Sequence, residues 1–260
     1  MEISWITFAI ACPLCFLAGI LNASAGSGGL ISLPAFMIAG LPPHLAIGTN
    51  KLQAVMGMAA ANVRFIRGGY LNYKLALPSI LSAIIGSLIG SNLSLVCNES
   101  VLSYLIFAIL PFAAFFALNK KTFTNSQGRS SHESAQDVQL THKTYLIVCV
   151  FAAIIGCYDG FYGPGTGTFL IIAFTAFAHL EVRMASAQAK AINFTTNLTA
   201  LIVFIASGNV LVLVGLAAGV CNIVGSWIGA GLVIDFGAKI MRPALVIALV
   251  LMLLKVLGLY

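Results

Sequence analysis

The stretch "YDGFYGPGTG", residues 158–167, decides how this chain is to be read. It follows an almost wholly apolar run, Thr144 to Tyr158, and leads at once into another, Phe169 to Leu180. Between them stand an acid, Asp159, four glycines (Gly160, Gly163, Gly165 and Gly167) and Pro164. A helix in an apolar medium satisfies its own backbone, so a break there needs a reason. Glycine permits unusual dihedrals and close approach, and the helix that follows points its positive end at the break. Such an arrangement suits an anion.

The surroundings support a break at membrane depth. Of 260 residues, 60% are hydrophobic and 8% charged, and the mean hydropathy is +1.03. A water-soluble domain carries roughly a quarter charged residues. The apolar runs are long and continuous, not short and alternating, so the spans are helices and the chain is an all-α polytopic membrane protein. The net charge of +6 comes mostly from Lys and Arg in short polar gaps. That pattern orients a membrane protein and gives no sign of nucleic-acid binding. No cleavable signal peptide is evident in "MEISW", so the first span is expected to stay. The six cysteines lie in or at the ends of apolar runs and read as packing residues. Cys12 and Cys15 form a CxxC without the second pair a zinc site needs, and a thiol relay is the sharper alternative. No metal or cofactor is expected.

Five apolar segments, at about 3–21, 30–41, 44–66, 75–97 and 101–118, precede a polar middle. Five more follow, at about 144–158, 169–180, 184–206, 210–234 and 240–259. The two sets match. "GSLIG" at 86–90 answers "GSWIG" at 225–229, and Lys51 answers Lys190 at the same separation. "GSGG" at 26–29 answers "GPGTG" at 163–167, two residues closer in register. The chain thus divides into a first repeat (1–118), a linker (119–143) and a second repeat (144–260).

Loop charges decide the relative orientation. The loop between the third and fourth segments carries Arg64, Arg67 and Lys74 in the first half, whereas "SGN" at 207–209 carries none. Between the fourth and fifth segments the order reverses: "CNES" at 97–100 has no Lys or Arg, and the second half has Lys239 and Arg242. Short-loop Lys and Arg mark the cytoplasmic side, so the repeats are expected to be inverted, with the linker cytoplasmic and both termini outside. Lys255, near the external end of the last segment, runs against this unless it snorkels.

The second segment of each half has only about a dozen apolar residues, short of the ~20 needed to cross. Short, glycine-interrupted segments at matching places in two halves point to a substrate site. The candidate binding residues are therefore Gly26, Gly28 and Gly29 with Gly163, Gly165 and Gly167. Lys51 and Lys190 fall inside the third segments, where an ionisable group is costly and functional by default, unless each snorkels out near a helix end. Ser186, Lys190, Asn193 and Asn197 share one helical face; the first half offers Asn50, Lys51 and Gln53 instead. Asp159, whose counterpart is Asn22, could pair with a lysine, carry a coupling proton or cap the next helix. His44 and His179, at the exits of the short segments, and Trp5 read as interfacial. The GxxxG pairs Gly86/Gly90 and Gly225/Gly229 read as helix packing, within one chain or in a homodimer.

At "YDGFYGPGTGTF", "LPPHLAIGTNKLQAV" and "AQAKAINFTTN" the sequence resembles the TauE/SafE family, the sulfite exporter or TSUP family, and within it the YfcA-like branch. The likeness covers roughly residues 10 to 258. It implies a transporter of the bacterial inner membrane with about eight full spans, which fits ten segments of which two are short or re-entrant. It also implies a small sulfur-bearing anion as substrate. Members of that branch tend to have Asp where this chain has Asn22. The reading of function is a secondary transporter of a small anion working by alternating access. An anion channel would use the same site. An intramembrane enzyme would need two carboxylates sharing a proton, and an assembly role would leave the lysines dispensable.

Overall fold

A computed structural model describes residues 5–96 and 140–237, with scattered positions from 239 to 250. The expected segment at 101–118, the linker up to residue 139, the loop 97–100, Arg242 and Lys255 lie outside the described residues. Within them the chain is helical: α1 (Trp5–Ala25), α2 (Gly29–Ile38), α3 (Pro43–Arg67), α4 (Tyr73–Val96), α5 (His142–Phe161), α6 (Thr166–Ala176), α7 (Val182–Ala206) and α8 (Val212–Phe236). Local chemistry sets several starts. Pro43 opens α3 at a position where its missing N–H costs nothing. The Thr141 hydroxyl accepts the Thr144 N–H at α5, and the Glu181 carboxylate accepts the N–H groups of Arg183 and Met184 at α7. Among the described residues, α1, α4, α5, α7 and α8 are long and apolar enough to cross a membrane. The protein is a multi-pass helical membrane protein.

Two helix ends differ from expectation. α1 runs past residue 21 to Ala25, and α5 runs past residue 158 to Phe161. The first polar residues do not end either helix, because they face the protein interior and not lipid. Asn22 and Asp159 are 5% and 1% exposed. Asp159 therefore sits in the last turn of α5 and not in the break.

Two of the helices are short, and each folds back along the helix before it. α2 has 10 residues and α6 has 11, each about 15 Å long, half of a ~30 Å hydrocarbon core. α2 folds back along α1, with the Thr7 hydroxyl donating to the Ala39 carbonyl at 3.5 Å. α6 folds back along α5, where Phe151 stacks on Phe177 (5.1 Å) and Tyr158 meets Phe169 edge-on (5.6 Å). Each hairpin thus leaves on the side from which it entered.

The hairpins come from opposite faces. The helices that follow them, α3 and α7, are antiparallel. Early in α3, the Thr49 hydroxyl accepts the Leu211 N–H beyond the end of α7. Late in α3, Asn62 donates to the Lys190 carbonyl in the first half of α7. Packing between the halves is reciprocal as well. α1 crosses α8 and α4 crosses α5 through the GxxxG pairs: a Cβ on Gly225 would lie 2.1 Å from the Phe16 carbonyl oxygen, and one on Gly86 would lie 2.1 Å from that of Ala153. These glycines are occupied inside the chain, so the feature that suggested a homodimer is already used. Arg64, Arg67, Lys74 and Arg183 gather at one end, where Arg64 and Arg183 donate to the Trp227 and Ile234 carbonyls of α8. Exposed Leu77, Leu81 and Ile85 on α4, and Leu213, Val220 and Val224 on α8, form faces suited to lipid.

Candidate site where two re-entrant hairpins meet

The hairpin tips touch at the centre of the helix bundle. The Gly167 N–H donates to the Gly26 carbonyl at 3.0 Å. The hydroxyls of Ser27 and Thr168 bond to each other, and Thr168 also donates to the Ala25 carbonyl at 2.7 Å. No side chain fits between the tips. Gly26 has φ +80, and a Cβ there would lie 2.3 Å from the Gly167 carbonyl carbon.

Beside this junction is a cavity of about 20 Å³. Its wall is mainly polar: Asn22, Asn50, Lys51, Gln53, Asp159, Asn193, Asn197 and Asn222, with Gly26, Gly28, Gly29 and Gly163 and the apolar Ala54 and Met58. Gly28 and Gly29 stand at the start of α2, where the Leu30 and Ile31 N–H groups donate to the Ser27 and Gly28 carbonyls at 3.1 and 3.0 Å. The volume accommodates about one water. A polyatomic oxyanion needs the walls to part.

Lys51 and Asp159 form an ion pair across the halves. Lys51 donates to the Asp159 carbonyl at 2.5 Å and to its Oδ1 at 3.1 Å, and both side chains are 1% exposed. Thr166 donates to Oδ1 at 3.0 Å, Asn197 donates to Oδ2 at 2.8 Å, and Thr196 donates to Oδ2. Four side-chain donors thus hold one carboxylate. Of the roles open to Asp159, pairing is the one the geometry adopts; the N-cap of α6 is Gly165, which makes no side-chain cap. Asn50 accepts from Ser32 at 2.5 Å and from Gln53 at 2.8 Å, which leaves Gln53 Oε1 as a buried acceptor without a partner.

The remaining candidates fall differently. Gly165 and Gly167 lie outside the cavity wall; Gly167 serves the contact between tips. Lys190 is also outside the wall, one turn along α7 from Asn193, and is fully buried. Neither lysine snorkels. Lys190 Nζ and Ser186 Oγ have no hydrogen-bond partner. His179 is exposed, with φ +52, and Trp5 is exposed at the start of α1, as interfacial residues would be. Cys12 of α1 and Cys221 of α8 are free, half-buried thiols, and no group of three His, Cys, Asp or Glu among the described residues is placed to hold a metal.

The sequence profile described as "Sulfite exporter TauE/SafE" matches residues 11–256, nearly the whole chain. The chain belongs to the TauE/SafE family. Three similar relatives of this TauE/SafE chain are each described as a probable membrane transporter protein. One, ORF9 of Sinorhizobium sp, is 34% identical over 94% of this chain and 89% of its own. One from Haemophilus influenzae is 32% identical over 98% and 96%. YfcA of Escherichia coli K12 is 31% identical over 93% and 86%. No solved structure gives a significant match to this TauE/SafE protein.

Asn222, Thr166, Thr196, Ser27 and Thr168 escaped the sequence reading. Asn222, a polar residue inside the apolar run 210–234, was visible as an anomaly. Thr196 lay beside the Asn193/Asn197 face. Nothing in the sequence pairs Ser27 with Thr168.

Proposed function

We propose that this chain is a secondary carrier of a small anion, a sulfur-containing organic or inorganic one, working by alternating access; the family description names sulfite alone. The observation that carries the proposal is the cavity beside the meeting tips of two short-helix hairpins, walled by side-chain amides, the start of α2 and the Lys51–Asp159 pair. Broken helices meeting at mid-membrane are the usual substrate site of carriers built from inverted repeats. An α2 N-terminus favours negative charge, and amide donors can replace the water an anion leaves behind. An enzyme reading finds little support: Asp159 is committed to Lys51, and Asp235 is exposed near the end of α8, so among the described residues no second carboxylate is paired with it.

The proposed location is the bacterial inner membrane. The end bearing Arg64, Arg67, Lys74 and Arg183 faces the cytoplasm with the linker, and both termini face out. The test is uptake into sealed proteoliposomes of labelled sulfite, sulfate, sulfoacetate, taurine and acetate, with and without a pH gradient. Saturable uptake of a panel anion, lost in a Lys51→Gln/Lys190→Gln double variant, is the expected result. No uptake of any member, or equal uptake by the variant, would contradict the proposal.

A further inference from the structure

The two halves place four of their residues alike but differ in charge balance. Lys51 and Lys190 occupy the same place in α3 and α7, and Asn22 and Asp159 occupy the same place in α1 and α5. Symmetry would give two ion pairs. Lys51–Asp159 is present; the equivalent pair would be Lys190 with residue 22, which is asparagine. Lys190 is 0% exposed, and its Nζ has neither a hydrogen bond nor a carboxylate. One turn away on the same helix, Ser186 is also 0% exposed and its hydroxyl is also without a partner. A native interior rarely leaves such groups unpaired, and each one calls for an explanation.

We propose that the substrate itself is the missing counter-ion: a singly charged oxyanion head group binds Lys190 and Ser186, in the role that Asp159 plays for Lys51. This rests on the carrier reading above and deepens it by naming the charge of the substrate and the residues that meet it. Asp159 already neutralises Lys51, so one positive charge is left for the ligand. A monoanion such as a sulfonate, a carboxylate or hydrogen sulfite balances it, and a dianion overcompensates. Asn193 and Asn197 continue from Lys190 along the same face of α7 into the cavity wall, giving the head group a path of amide contacts to the hairpin tips. Asn22 then acts as a specificity residue. Its amide leaves open the place that an aspartate would fill with a built-in anion.

The decisive variant is Asn22→Asp, which supplies that anion internally. The full chain, purified in detergent, is followed by thermal unfolding with methanesulfonate, acetate or sulfate added. The wild type is expected to show a raised midpoint with methanesulfonate or acetate, and at least tenfold more sulfate is expected to be needed for the same shift. Asn22→Asp is expected to unfold about 2–4 °C higher without ligand and to lose the shift, as a new internal pair would require. Asn22→Asp in a Lys190→Gln background is expected to gain no stability, and Ser186→Ala to need several-fold more anion. An unchanged anion shift in Asn22→Asp, a ligand-free rise that persists without Lys190, or no shift of the wild type by any of the three probes would overturn the inference. Transport is measured separately: a wild type that shows the anion shift but no liposome uptake would refute the carrier reading and leave this binding assignment standing.

Discussion

Lys51 of α3 reaches across the interface between the halves to Asp159 of α5, touching its carbonyl at 2.5 Å and its carboxylate at 3.1 Å. The pair is closed off from solvent on all sides and sits against the cavity, so it both joins the halves and sets the charge of the site. A buried pair adds little over an apolar replacement, yet breaking it strands a charge. Asp159→Asn is expected to destabilise the protein by about 3–5 kcal/mol. The double variant Asp159→Asn/Lys51→Gln is expected to recover more than half of that loss. A double-mutant cycle of unfolding free energies in detergent measures this; additive losses would show that the two residues act independently.

At the hairpin junction, Gly26 has φ +80 and faces Gly167 and Thr168 backbone atoms that a Cβ would meet at 2.3–2.6 Å. Gly69 also has a positive φ, +71, but has open space around it. Gly69→Ala is expected to cost about 1 kcal/mol from backbone conformation alone. Gly26→Ala is expected to cost at least twice as much and to abolish uptake, because it forces the two tips apart. Thermal midpoints of the two variants, measured side by side, separate the contact from the dihedral.

The two crossings between halves predict matched responses. Gly86→Val and Gly225→Val each place a side chain against a carbonyl of the opposite half, at 2.1 Å from the first added atom. Each is expected to lower stability by about 1–3 kcal/mol through overpacking. Because these faces are filled within one chain, the oligomeric state by light scattering is expected to be the same as for the wild type. Dissociation of an oligomer by either change would place the GxxxG faces between protomers instead.

Much of this could be read from the residues. The duplicated "GSLIG"/"GSWIG" and Lys51/Lys190 landmarks appear at equivalent places in their helices, and the short segments at 30–41 and 169–180 form helices of 10 and 11 residues. Hydropathy failed at the ends of α1 and α5, since it cannot distinguish a polar residue that leaves the membrane from one that faces a polar interior; Asn22 and Asp159 do the latter. The partner of Asp159 was not legible either. Lys51 is 108 residues away, and capping by Asp159 of the next helix was just as reasonable from spacing. The division of labour between the lysines, one paired and one not, depends on a contact between helices that no local pattern encodes.

Ser27 and Thr168 bond across the hairpin tips and offer a way to lock them. A Ser27→Cys/Thr168→Cys variant is expected to form a disulfide on oxidation and to lose at least nine-tenths of its uptake. Reduction is expected to restore it. Uptake that persists after complete cross-linking would show that the tips stay together through the transport cycle.

The claim that this TauE/SafE protein carries an anion by alternating access is tested most directly by counterflow. Proteoliposomes are loaded with unlabelled sulfite, sulfoacetate or acetate, whichever supports uptake, and diluted into a trace of the same labelled anion. The account predicts a transient accumulation of label above its equilibrium level, absent from empty liposomes and from the Lys51→Gln/Lys190→Gln variant. Entry that rises linearly with concentration and shows no overshoot would contradict it and would make the same cavity part of a channel.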